Sequence, residues 1–179
     1  MPLRRLARQA REAWEVPRDL LLRRYPPFVT GGPLPKGDVP VFVFHSLEPV
    51  SFGRKLRHLA ENGYATLSIE EYFRVLVGAG RAPDKAVLLT FDDGRGSVWT
   101  IAAPLMRRYG MKGVVFLVPG RMKDGRLGPT WDDVETRRVP AAEVLARESH
   151  DGAFLTWAET EALSASGLFD FQSHSLLHA

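Results

Sequence analysis

Two stretches of the chain put carboxylates and imidazoles where they can do chemistry. The first is Thr90-Phe91-Asp92-Asp93-Gly94, in which adjacent carboxylates follow the apolar run Ala86–Phe91. Neighbouring anions repel each other, and at the end of a buried strand both must be solvated or bound. Consecutive strand residues point in opposite directions, so one carboxylate can ligate a metal while the other faces a substrate. The plainer reading is a helix-capping Asp beside a solvated neighbour, and the doublet alone does not choose between them. Gly94 permits the tight turn that a site here requires. The second stretch is His174-Ser175-Leu176-Leu177-His178. Imidazoles at i and i+4 share one face of a helix or helical turn, about 6 Å apart at their Cβ atoms. That separation suits two ligands on one ion, although two unrelated surface or capping histidines fit it as well. One Asp with both His makes a facial ligand set that leaves positions open for water and substrate. The other Asp is then free to act as a base. The chain has no cysteine, so any metal must be held by His, Asp or Glu, and a disulfide framework or cysteine nucleophile is excluded. His45 either lines the same face or sits as a satisfied core histidine, and His150-Asp151 reads as a loop pair.

Repeated strand–helix units must position these groups. Val41–Phe44 is a continuous apolar run, expected as a strand covered on both faces. Ser51 is expected to cap a helix reaching Asn62, with Phe52, Leu56 and Leu59 on one face and Gly63 as its stop. Tyr64–Leu67 reads as a short strand, and Ser68 with Glu71 as a capping box for a helix fading by Gly78. After the buried strand Ala86–Phe91, a helix is predicted over Ser97–Tyr109, kinked at Pro104 and stopped by Gly110. Gly113–Val118 is a further strand. Residues 119–155 are too long for an ordinary connection and read as a lid or binding loop. Thr156 with Glu159 is a second capping box, opening a helix to Gly167, before the strand Phe169–Gln172. Such repetition with buried strands implies a parallel sheet, open or closed into a barrel.

Composition narrows the setting. The 179 residues suffice for one ordinary domain, and 45% hydrophobic with 25% charged residues is a globular mix. The net charge of +3 is not spread over the fold. Residues 1–25 hold seven Arg against three acidic residues, whereas the remainder has 17 basic and 18 acidic residues. A nucleic-acid groove needs cations along its binding face, so no nucleic-acid partner is expected. Leu3, Leu6, Ala7, Ala10, Ala13 and Trp14 recur at helical spacing. That stripe either packs on the body or gives a peripheral membrane contact through residues 3–14. A Pro/Gly-rich linker over residues 26–40 follows. No apolar run approaches the ~20 residues that span a bilayer, and the start lacks a secretory h-region, so a cytoplasmic location is expected.

The two motifs together resemble the polysaccharide deacetylases of the NodB-homology type, carbohydrate esterase family 4. Thr90-Phe91-Asp92-Asp93-Gly94 matches that family's first motif, and His174-Ser175-x-x-His178 its second. Phe44-His45-Ser46 and Asn62-Gly63-Tyr64 extend the similarity over about residues 38–179. The resemblance implies a (β/α) barrel, with residues 1–37 as helix and linker and 38–179 as the N-terminal part of the domain. It implies Asp93, His174 and His178 as ligands of a divalent metal, usually zinc in the family. Asp92 is implied as the general base, and Ser175 as the brace of the loop that aims both imidazoles. The expected activity is removal of N-acetyl groups from an amino-sugar glycan. A non-catalytic carbohydrate-binding or scaffold role on the same fold is the alternative. The sequence ends at Ala179, before the family's later motifs, so an incomplete barrel, weak activity of this chain alone and self-association through an open edge are expected. Arg95 stands where the family often has an aromatic residue.

Overall fold

The computed structural model describes residues 37–147 and 153–178. The expected N-terminal helix over residues 3–14, most of the expected linker and the His150-Asp151 pair lie outside them. The chain divides at Asp38, and the unit Val39–Ala179 carries the architecture described below.

The unit is an α/β fold built on a parallel sheet. Its elements run β1 (Val41–Phe44), α1 (Pro49–Glu61), β2 (Ala65–Thr66), α2 (Ile69–Leu76) and β3 (Ala86–Phe91). A π-helical turn (Val98–Ala102) leads into α3 (Ala103–Tyr109), followed by β4 (Gly113–Leu117). Helices α4 (Trp131–Glu135), α5 (Ala141–Ala146) and α6 (Trp157–Ala165) precede β5 (Phe169–Ser173). The sheet order is β1-β3-β4-β5, with β2 pairing the start of β3, and every ladder is parallel. The C-termini of β1, β3, β4 and β5 therefore meet at one edge, where parallel α/β folds build their sites.

β3 is buried at all six residues. Its alternation serves two cores: Val87, Leu89 and Phe91 enter the larger one with α1 and α3, while Ala86 and Leu88 join Val114 and Leu67 on the other face. Phe91 lies among Phe44, Phe52 and Phe169, with centroids 5.6 to 6.1 Å away. Each such pair adds about 0.5–1.5 kcal/mol beyond its buried area, so the end of β3 is firmly seated.

Three expectations change on inspection. β1 forms as predicted but is not covered on both faces: Val41, Phe42 and Val43 are exposed. Among the described residues, β1 has one strand neighbour, β3, and its outer edge is open. The first helix is capped by Glu48, not Ser51. The Glu48 carboxylate accepts the amides of Val50 and Ser51, and Pro49 takes the first helical position, where no amide partner is needed. The predicted helix over 97–109 is split rather than merely kinked. Pro104 has no N–H to donate, and just before it Ala103 donates to Val98 O, five residues back.

The Ser68–Glu71 capping box forms as expected. The Ser68 amide holds the Glu71 carboxyl below its usual range against the opposing effect of burial, with smaller help from the Ser68 hydroxyl and Lys112. A carboxyl whose pKa is lower folded than unfolded stabilises above its unfolded value, and that contribution is lost as pH falls through the folded value. Glu71→Gln should therefore lower stability at neutral pH, and the difference should vanish once the solution is acidic enough to protonate Glu71. Urea denaturation of both proteins across that pH range checks it; a difference that persists in acid would mean the loss is not electrostatic.

Candidate metal centre

The site lies at the C-terminal edge of the sheet. Asp92 follows β3 directly, and its amide still donates to Phe44 O at 2.8 Å, as if the strand continued. The chain then turns sharply. Asp93 has φ 68° and Gly94 φ 62°, both left-handed. A Cβ on Gly94 would come within 2.8 Å of Leu117 Cδ2 and would have to be held left-handed, so glycine suits that close approach to the end of β4. This turn, not strand alternation, separates the two carboxylates.

Asp93 turns toward the end of β5. Its Oδ1 lies 3.1 Å from His178 Nε2 and 3.7 Å from His174 Nε2. One ligand-type atom from each of the three residues lies within 4.8 Å of the others. Asp93 Oδ1 is buried and makes no hydrogen bond, although two imidazole nitrogens face it. A buried anionic oxygen without a hydrogen bond is costly unless something binds it. Two imidazole nitrogens and a carboxylate oxygen are a donor set that zinc accepts, so these residues fit such an ion. Asp92 points elsewhere, with Oδ2 3.9 Å from His45 Nε2, and the His45 side chain is mostly exposed. Both Asp side chains are four-fifths buried, while His178 is half exposed.

Residues 174–178 form no helix; they make a bend after β5. The His174 amide extends the ladder to Leu117 O at 2.8 Å, and the Ser175 hydroxyl accepts the His178 amide at 2.9 Å. That hydroxyl supplies the closure a helical turn would have given, and His178 itself sits at φ 57°. The bend rests on Gly120, whose amide donates to Leu176 O and whose missing side chain leaves room for Leu176 and Leu177.

Every site residue expected from the sequence is thus at one edge: Asp92, Asp93, Gly94, His174, Ser175 and His178, with His45 beside Asp92. The sequence reading did not foresee Phe154, which pairs with Arg95 in an isolated antiparallel bridge. Its ring lies under the guanidinium of Arg95 at 5.1 Å and of Arg121 at 5.5 Å. These partners come from three separated segments, and no local pattern announces them. Among the described residues no helix is long and apolar enough to cross a membrane.

Comparison with known proteins points to one family. A Bacillus subtilis (strain 168) polysaccharide deacetylase, YxkH, is 31% identical over 88 residues, covering 45% of this chain and 32% of that protein. The poly-beta-1,6-N-acetyl-D-glucosamine N-deacetylase of Escherichia coli (strain K12) is 27% identical over 132 residues, 74% of this chain and 18% of the relative. The chain therefore spans a third or less of the length of these curated relatives. Among solved structures, IcaB from Ammonifex degensii superposes with a TM-score of 0.57 at 24% identity, over 78% of this chain and 54% of that one, which shows a shared fold. The sequence model of the polysaccharide deacetylase domain matches residues 79–179, from before β3 to the end of the chain, and so includes both the Asp and the His motifs. With more than half of its length inside that match, the chain belongs to the polysaccharide deacetylase family.

Proposed function

We propose that this chain is part of a metal-dependent N-deacetylase that hydrolyses N-acetyl groups on a glucosamine-type polysaccharide. One observation carries the reading: Asp93 faces His174 and His178, while adjacent Asp92 turns away beside His45. The name of the Escherichia coli relative supports the substrate class. A divalent ion held by Asp93, His174 and His178 would supply Lewis-acid polarisation of the N-acetyl carbonyl. Asp92 is the general base: it lies outside the triad and accepts a proton as water adds to the carbonyl carbon. The C–N bond then breaks, acetate leaves, and the proton ends on the free amine. His45 faces the Asp92 carboxylate from the exposed side at 3.9 Å. Ser175 holds His178 in register with His174, a task on which the ligand geometry depends.

The backbone at Asp93 favours the same assignment. A non-glycine residue held left-handed costs on the order of 1–3 kcal/mol, and such strain persists where function selects it. Of the four non-glycine residues with positive φ among those described, two are Asp93 and His178. Glycine adopts this conformation freely. Metal-free Asp93→Gly should therefore be at least as stable as the parent in urea unfolding, while losing zinc binding. A clear loss of stability would mean that Asp93 is kept for the fold.

The roles of the two carboxylates separate in a paired measurement on the whole protein. Asp92→Asn should retain the metal and lose turnover by ~10²–10⁴, as expected for a general base, in acetate release from N-acetylglucosamine oligomers. Asp93→Ala should lose metal and activity together. Equal metal loss in both variants would overturn the assignment. Glycan binding with no acetate release from the metal-loaded whole protein would favour the non-catalytic reading.

A further inference from the structure

Glu159 opens α6 as the third residue of its capping box, a position that usually faces solvent, yet here its side chain is wholly buried. Its carboxylate accepts the Thr156 amide at 2.9 Å, the Gly128 amide at 3.3 Å and both terminal nitrogens of Arg147. Arg147 follows α5, and its Nη2 also donates to Phe154 O at 3.1 Å. A buried carboxylate and guanidinium satisfy each other only as a pair, so each fixes the other's place.

What the pair holds is the extended segment Ala153–Thr156. Ala153 and Leu155 are buried, while Phe154 turns outward between Arg95 and Arg121. The backbone of this segment runs antiparallel to the turn that follows Asp93. The Gly96 amide donates to Ala153 O, and the Leu155 amide donates to Gly94 O at 2.8 Å. Arg147 itself presses on the turn: a Cβ on Gly96 would lie 3.0 Å from Arg147 Nε and 3.2 Å from Ala153 O. The left-handed residues Asp93 and Gly94 are thus followed at once by backbone that is clamped from outside the motif. Arg147 and Glu159 thus reach the turn along two routes, through this strap and through the packing of Arg147 on Gly96.

We propose that the buried Arg147–Glu159 pair is a positioning device for Asp93: through residues 153–155 it fixes Gly94 and Gly96 and so aims Asp93 Oδ1 at His174 and His178. The inference rests on reading those three residues as a metal site. Partners bonded directly to metal ligands are worth about 10–100-fold in metal affinity, and a clamp one step further out is expected at the lower end of that range.

The test uses zinc titration, amide hydrogen exchange of the metal-free protein and circular dichroism. Arg147→Met should bind zinc about tenfold more weakly and exchange the Gly96 and Leu155 amides faster, with its secondary structure kept; Arg147→Lys should recover part of both. Gly96→Ala pushes both Arg147 and the strap away from the turn while leaving the two charged residues in the chain. Its backbone angle is not left-handed, so it decides the matter if Arg147→Met does not fold. Arg108→Met, which removes the exposed ion pairs to Asp132 and Glu135, is the control and should leave zinc affinity unchanged. Parental zinc affinity in folded Gly96→Ala and Arg147→Met would overturn the proposal, as would an equal loss in the control. If the parent itself binds no zinc, the metal reading fails, and the exchange rates alone judge the clamp: unchanged protection of Gly96 would overturn it.

Discussion

A strand buried at all six residues ends in two adjacent carboxylates, and the rest of the site follows from how that conflict is resolved. Phe91 anchors the strand end in an aromatic cluster, so the chain cannot relax by sliding β3 outward. Two anions released side by side at a low-dielectric edge repel each other, and each needs its own compensation. The left-handed turn at Asp93 and Gly94 supplies the separation. Asp92 keeps the direction of the strand and meets His45 from β1, while Asp93 swings across the end of β4 toward β5. The parallel topology matters because it brings β1, β3, β4 and β5 to that edge with the same polarity, so residues from distant sequence converge without a long loop.

Much of this was legible in the sequence because the relevant signals are local. β3 and β4 are short apolar runs and β5 is a short alternating one, and the Ser68 and Thr156 boxes mark helix starts with a specific hydrogen-bond pattern. The Asp and His motifs carry the ligand types at fixed spacing. What failed was non-local. The exposure of β1 depends on whether a strand lies on its other side, which a run of Val and Phe does not encode. The Glu48 cap competes with Ser51 over three residues, and Pro49 decides it by its own preference for the first helical position. The turn at 174–178 looks helical by spacing alone, but Ser175 closes it through a side-chain oxygen. Glu159 was readable as a cap and not as the buried partner of Arg147, because nothing near either residue announces the other.

The residues between β4 and α6 gain a physical role in this description. Among the described residues they carry a 3-10 turn (Pro119–Arg121), α4 and α5, and they are tied back at several points: Trp99 Nε1 to Gly128 O, Gly128 to Glu159, and the strap to Gly94 and Gly96. A segment of this length without such ties would be an entropic burden on the fold. Here its anchor points fall on the turn that aims Asp93.

The account stands or falls on whether Asp93, His174 and His178 hold one ion together. X-ray absorption at the zinc edge of the zinc-loaded protein tests this directly. The account predicts a first shell containing nitrogen and oxygen at about 2.0–2.2 Å with the outer-shell scattering of two imidazoles, reduced to none when both histidines are replaced by alanine. A first shell of oxygen alone, or imidazole scattering that survives replacement of His174 and His178, would contradict it.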